Sequence, residues 1–143
     1  MGKTANPLAG GVYFGEGPRW REGRLWFSDF FARAVKSVSE AGEVRTEFEV
    51  EGDRPSGLGW LPNGDLLFVS MERRRLMRRS PGGEIRLHAD LSRIASWHCN
   101  DMVVDAQGRA FVGNFGFDLD AALVERGPES VLADHTAAAI ALV

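Results

Sequence analysis

The sequence predicts an all-β fold, a β-propeller of about three four-stranded blades, on three observations. A short apolar run, a Gly-containing turn and a second apolar run occur three times, most clearly across Cys99-Asn100-Asp101-Met102-Val103-Val104-Asp105-Ala106-Gln107-Gly108-Arg109-Ala110-Phe111-Val112-Gly113-Asn114. Setting Trp20, Trp60 and Val104 in register aligns the turn glycines Gly23, Gly64 and Gly108, with one gap in the first copy. The copies repeat at about 40–45 residues, the period of a four-stranded propeller blade. Finally, Gly supplies the positive φ of a tight hairpin turn, so each copy reads as paired antiparallel strands.

Taken in order, residues 1 to 9 read as an extended lead-in, with Pro7 opposing a helix. Blade one covers about 11–50, with strands at 11–20, 25–28, 34–38 and 44–50. In the last of these Val44, Thr46, Phe48 and Val50 fall on one side, the period of a half-buried strand. Blade two covers about 55–90, with strands at 57–60, 66–70, 76–79 and 84–89 and a Pro81-Gly82-Gly83 turn. Residues 91–96 suggest a short helical turn. Blade three covers about 98–143: strands at 102–104 and 110–114, a helical insertion at 118–125 and a third strand at 136–143. Its outer strand is missing.

The single chain of 143 residues is long enough for one domain with a real core. Its 44% hydrophobic and 26% charged residues are ordinary for a globular domain. A net charge of −3 lacks the basic footprint of nucleic-acid binding. No apolar run approaches the roughly 20 residues needed to span a bilayer, and the first seven residues carry no apolar leader. With one cysteine no internal disulfide forms, which fits a cytoplasmic location.

The innermost strand of each blade lines the propeller's channel, so side chains at one equivalent slot converge. That slot holds Glu16, Ser56 and Asn100, each just before Gly17, Gly57 or Asp101. A carboxylate, a hydroxyl and an amide offer hard oxygen donors suited to Ca²⁺, Mg²⁺ or Mn²⁺. Taken singly, each also fits an ordinary role: a solvated turn acid, a turn hydroxyl, an Asx turn. Their coincidence in register is what favours a site.

Gly15-Glu16-Gly17-Pro18-Arg19-Trp20, Pro55-Ser56-Gly57-Leu58-Gly59 and Asn100-Asp101-Met102-Val103-Val104-Asp105 resemble the motifs of the SMP-30/gluconolactonase (regucalcin-like) family, in the family's order. The resemblance covers nearly the whole chain and corresponds to the N-terminal half of such a protein. It implies a six-bladed ring, of which these residues make a half-propeller. A second copy or a missing C-terminal half would complete that ring.

It also implies divalent-metal-dependent hydrolysis of sugar-acid lactones, with one cation (Ca, Zn, Mn or Mg) on the axis. Glu16 matches the family's first-blade metal ligand; Asn100 matches an asparagine beside the metal that contacts substrate. The family's two further ligands, an Asn and an Asp of later blades, have no counterpart here. His98 stands where the family often carries an Arg, and period-two geometry puts it on one strand face with Asn100. Asn114 and Asp118 are weaker substrate-binding candidates. Asp101 is a weak candidate for the catalytic base, because a regular strand would turn it away from Asn100.

Cys99 beside His98 suggests a nucleophile pair, but neighbouring strand residues face opposite ways, and a buried small hydrophobe fits Cys99 better. The basic run from Glu72 to Arg79 reads as a solvated rim. Trp20, Trp26, Trp60, Phe68 and Phe111 read as packing between blades. Two other functions fit the same fold: a non-catalytic cation- or sugar-binding propeller, and a protein-interaction scaffold. Fold alone does not choose among them.

Overall fold

A computed structural model of the chain describes residues 2–143. The first sheet comprises β1 (Gly15–Arg21), β2 (Arg24–Asp29), β3 (Ala34–Ser39) and β4 (Val44–Glu49), the second β5 (Pro55–Trp60), β6 (Leu66–Ser70), β7 (Arg75–Arg79) and β8 (Ile85–Asp90). The third holds β9 (Cys99–Val104), β10 (Ala110–Asn114) and, after helix α1 (Leu119–Ala133), β11 (Ala141–Leu142). Every sheet is an antiparallel meander in chain order, which is the predicted all-β architecture. The innermost strands β1, β5 and β9 all contact one another. Among the described residues, no helix is long and apolar enough to cross a membrane.

The middle sheet explains a sequence feature that alternation alone does not. β6 reads Leu-Leu-Phe-Val-Ser without polar alternation, and all five residues are buried. Leu66 and Phe68 face the first sheet with Val35 and Leu58; Leu67 and Val69 face the third with Met102 and Val112. A strand covered on both faces needs apolar side chains at every position. Gly57 permits the close approach of β5 and β9: a Cβ there would lie 2.4 Å from the Met102 nitrogen.

The gap in the first copy is a turn one residue shorter. Arg21 pairs with Arg24 around Glu22 (φ 51°) and Gly23 (φ 76°), the positive-φ pair of a type I′ hairpin. The other two copies close over three residues, with Leu61 N–H donating to Asp65 O and Asp105 N–H donating to Arg109 O.

Four expectations change. The first strand begins at Gly15 rather than residue 11, because the Tyr13 and Phe14 amides donate to the Asp29 carboxylate and not to a ladder. In β4 a bulge lets Glu47 intervene between Phe48, opposite Val35, and Thr46, opposite Lys36. Thr46 is therefore exposed, and Glu47 accepts from the Ser37 hydroxyl. The helix extends well beyond residue 125: Asp118 caps its start, and it continues through a kink at Gly127 (φ 73°) followed by Pro128. Only Ala141–Leu142 of the expected last strand pairs with β10. The turn expected at 91–96 is present, closed by Ile94 and Ala95 N–H donating to Leu91 O.

Candidate functional site

At the same end of each inner strand the ladder is interrupted by a bulge. Gly17 and Pro18 stand against Phe27, Ser56 and Gly57 against Val69, and Asn100 and Asp101 against Gly113. Bulges re-aim side chains and are common beside active sites. Here they surround one cavity of about 290 Å³, lined by Gly15, Glu16, Gly17, Pro18, Ser56, Asn100, Asp101 and Phe115.

The slot residues are physically coupled. The buried Ser56 hydroxyl donates to Glu16 Oε2 at 2.9 Å, and Ser28 Oγ donates to the Ser56 carbonyl at 2.5 Å. β2 therefore holds the Ser56 peptide, and Ser56 orients the Glu16 carboxylate. Asn100 is half-buried, and its Oδ1 lies where a Cβ on Gly113 would come within 2.7 Å. Only glycine at 113 leaves the Asn100 amide its present position.

The bulge also overturns one expectation from regular-strand geometry: Asp101 is not turned away from Asn100, and both line the cavity. Asp101 Oδ1 accepts from the Met102 amide at 2.8 Å and lies 3.4 Å from Arg19 Nη2. Arg19 Nη2 also donates to the Met102 carbonyl, so a β1 side chain braces β9 across the channel. Sequence reasoning missed Arg19. Its one signal was a basic side chain inside Gly-Glu-Gly-Pro-x-Trp, just after the slot.

The remaining candidates are placed differently. His98 precedes β9, stacks on Trp97 at 4.8 Å, and its carbonyl accepts from the Phe115 amide; its ring is not part of the cavity lining. Asn114 Nδ2 donates to Ala139 O at 2.6 Å, while its Oδ1 accepts from Gly116 N–H at 2.9 Å. It occupies the position of Asp29 and Ser70 in the other sheets, each a buried polar residue ending the second strand. Asp118 accepts from Ala121 N–H as the helix cap. The Cys99 thiol is pushed up to about 11 by burial, which makes it a core residue rather than a nucleophile.

The donor chemistry of the cavity fits a hard divalent cation. Carboxylate, amide carbonyl and hydroxyl oxygens suit Ca²⁺, Mg²⁺ or Mn²⁺, whereas Zn²⁺ favours nitrogen and sulfur donors. Among the described residues, no group of three or more His, Cys, Asp or Glu is arranged to hold a metal ion. The cavity's lining carries two carboxylates, Glu16 and Asp101, beside the neutral oxygens of Ser56 and Asn100.

Residues 14–137 match the SMP-30/Gluconolactonase/LRE-like region family. The chain belongs to this family. A gluconolactonase from Xanthomonas campestris is similar in structure, with a TM-score of 0.59 and 25% identity, over 70% of this chain and 34% of that one. A luciferin-regenerating enzyme shares the fold at TM-score 0.60 and 15% identity, over 76% of this chain and 40% of that one. A streptogramin B lyase shares it at TM-score 0.52 and 19% identity, over 64% of this chain and 33% of that one. The aligned part thus spans about a third to two-fifths of these structures' length. No functionally curated sequence matches the chain.

Proposed function

We propose that this propeller site is that of a divalent-metal-dependent hydrolase of sugar-acid lactones, gluconolactonase-like in chemistry. One observation carries the reading: the equivalent residues Glu16, Ser56 and Asn100 of three successive inner strands line one cavity, with Ser56 bonded to Glu16. Membership of the family and likeness to a gluconolactonase support it. Glu16 and Asn100 would hold the cation, Ca²⁺, Mg²⁺ or Mn²⁺ before Zn²⁺ on donor chemistry. A second copy, or further blades, would supply the remaining donors.

When bound, such a cation polarises a carbonyl and lowers the pKa of water. The chain's own residues orient the reactants. Ser56 fixes the carboxylate of Glu16, and Asn100 offers an amide N–H to a substrate oxygen. Asp101, 3.4 Å from Arg19 Nη2, would be the carboxylate that accepts a proton. His98 and Asn114, proposed as substrate contacts from the sequence, have side chains outside this cavity's lining.

The test is acid release from D-glucono-δ-lactone, followed by pH-stat with Ca²⁺, Mg²⁺, Mn²⁺ or Zn²⁺ added. Glu16→Gln should lower the metal-dependent rate by about a hundredfold or more, the size typical of losing a group that holds charge in place. Hydrolysis no faster than background, or unchanged in Glu16→Gln, overturns the reading. Calorimetric cation binding without turnover would support the binding-propeller alternative, which draws on the same oxygen donors.

A further inference from the structure

The cavity's two carboxylates are not equivalent. Asp101 Oδ1 accepts from the Met102 amide and lies 3.4 Å from Arg19 Nη2, so its charge has a cationic partner. Among the described residues Glu16 has no such partner, and its one hydrogen bond comes from the Ser56 hydroxyl to Oε2.

That single bond is built from three strands. Glu16 and Ser28 stand opposite each other in the β1–β2 ladder, and cross-strand partners share a face. Ser28 Oγ donates to the Ser56 carbonyl at 2.5 Å, and Ser56 Oγ donates to Glu16 Oε2 at 2.9 Å. Ser28 and Ser56 are 0% and 2% exposed, so water does not compete for either hydroxyl. Both belong to the two four-stranded sheets, and their burial does not depend on further blades.

A buried hydroxyl needs an acceptor, and a backbone carbonyl would serve. Ser56 instead engages a carboxylate that has no other donor. Hydrogen bonds of this kind orient the carboxylates that ligate metals. One oxygen of Glu16 is thereby committed to a hydroxyl, while Oε1 has no partner among the described residues. Ca²⁺ collects roughly six to eight oxygens and accepts a carboxylate through one oxygen or both. Mg²⁺ and Mn²⁺ favour octahedral sites, and Mg²⁺ keeps several of its waters, so few protein oxygens satisfy it.

We infer that Ser56 is a positioning residue that sets the cation preference of the site. By holding Glu16 Oε2 it leaves the carboxylate one oxygen to offer, which favours Mg²⁺ or Mn²⁺ over Ca²⁺. This rests on the metal-dependent reading of the site for the presence of a cation, and adds which cation and why.

The probe is Mn²⁺, its binding to the wild-type chain counted by electron paramagnetic resonance, with Mg²⁺ and Ca²⁺ added as competitors. The wild type should bind Mn²⁺ more tightly than Ca²⁺, and Glu16→Gln should release the Mn²⁺. Ser56→Ala should weaken Mn²⁺ by about tenfold or more, the usual cost of losing a hydrogen bond to a ligating group, and change Ca²⁺ much less. Ser56→Thr keeps the hydroxyl and should keep the preference. Ser70→Ala removes another buried hydroxyl, one bonded to Asp53 in the second sheet, and should leave the ion ratio as it was. Thermal unfolding of each variant runs alongside.

A wild type that binds Ca²⁺ as tightly as Mn²⁺, or binds no Mn²⁺, overturns the inference, as does Mn²⁺ retained by Glu16→Gln. Equal weakening of both ions in Ser56→Ala makes the hydroxyl a ligand or a plain support, and also overturns it. So does a changed ratio in Ser70→Ala, or a lost preference in folded Ser56→Thr. Glucono-δ-lactone hydrolysis by the same preparation separates the two proposals. Metal-dependent turnover with an ion ratio indifferent to Ser56 sinks this inference alone; a ratio that follows Ser56 without turnover sinks the lactonase reading alone.

Discussion

The outward faces of the first and third sheets carry the same kind of apolar row, and a segment of the chain crosses only the first, covering part of it. On the first sheet Trp20, Leu25, Val38 and Val44 lie side by side across four strands. The lead-in crosses this face: Leu8, Ala9 and Val12 share a cavity of about 290 Å³ with Leu25, Phe27, Val38 and Val44. Phe27 and Val38 are only 6% and 5% exposed, while Trp20 at the row's inner end stays 57% exposed. On the third sheet Val103, Phe111 and Leu142 form the matching row, and Val103 and Leu142 stay 55% and 58% exposed.

What secures the lead-in is a polar staple. Asp29 accepts the Tyr13 and Phe14 amides and pairs with Lys36 Nζ at 2.7 Å. Burial works against the Asp29 charge, but Lys36 and the two backbone amides outweigh it and hold the carboxyl below its usual 3.8. The corresponding Asn114 of the third sheet instead donates to the Ala139 carbonyl, on the strand face that Ala110 and Val112 turn toward the middle sheet. On the first sheet, then, a buried carboxylate at the end of the second strand holds the segment that crosses the apolar row.

Opening the core between the first two sheets gives the largest expected effect. Phe68 is 1% exposed in the middle sheet, and Phe68→Ala should cost about 3–5 kcal/mol in denaturant unfolding. Releasing only the staple comes next. Asp29→Asn leaves Lys36 without its partner and should cost about 3 kcal/mol. It should also speed limited proteolysis of the lead-in, whose hold on the sheet is lost.

Because the Asp29 pKa is depressed in the fold, its contribution is complete above the unfolded value near 3.8 and disappears as pH falls through the lower native value. The stability gap between wild type and Asp29→Asn should therefore be constant near neutrality and close under acid conditions. A gap that instead widens on acidification contradicts the staple.

The smallest effects compare the faces directly. Val38→Thr buries a hydroxyl on the covered face and should cost about 1–2 kcal/mol. Val103→Thr on the bare face should stay within about 0.5 kcal/mol. Equal costs by chemical denaturation would mean the two faces are covered alike.

Much of this was legible in the sequence for a simple reason. Turn glycines and apolar runs act locally, so Gly23, Gly64 and Gly108 fixed the register and aligned Glu16, Ser56 and Asn100. Where neighbours intervene, the reading failed. Alternation in 44–50 gave way to a bulge at Glu47, and Asp101 turned toward the cavity because two residues of β9 oppose one of β10. A bulge depends on what the partner strand and the next sheet demand, and Gly113 reveals its purpose only beside Asn100.

By itself the sequence determined the repeat, the strand order and which residue types meet at the slot, because period, turn chemistry and strand polarity are short-range properties of the chain. Tertiary structure alone decided that Ser56 grips Glu16, that Arg19 spans to β9, and that Phe14 meets the rings of Phe30 and Phe31. Those contacts join residues 40 and 83 positions apart, or rings from separate loops, and only the packing of whole sheets sets such distances.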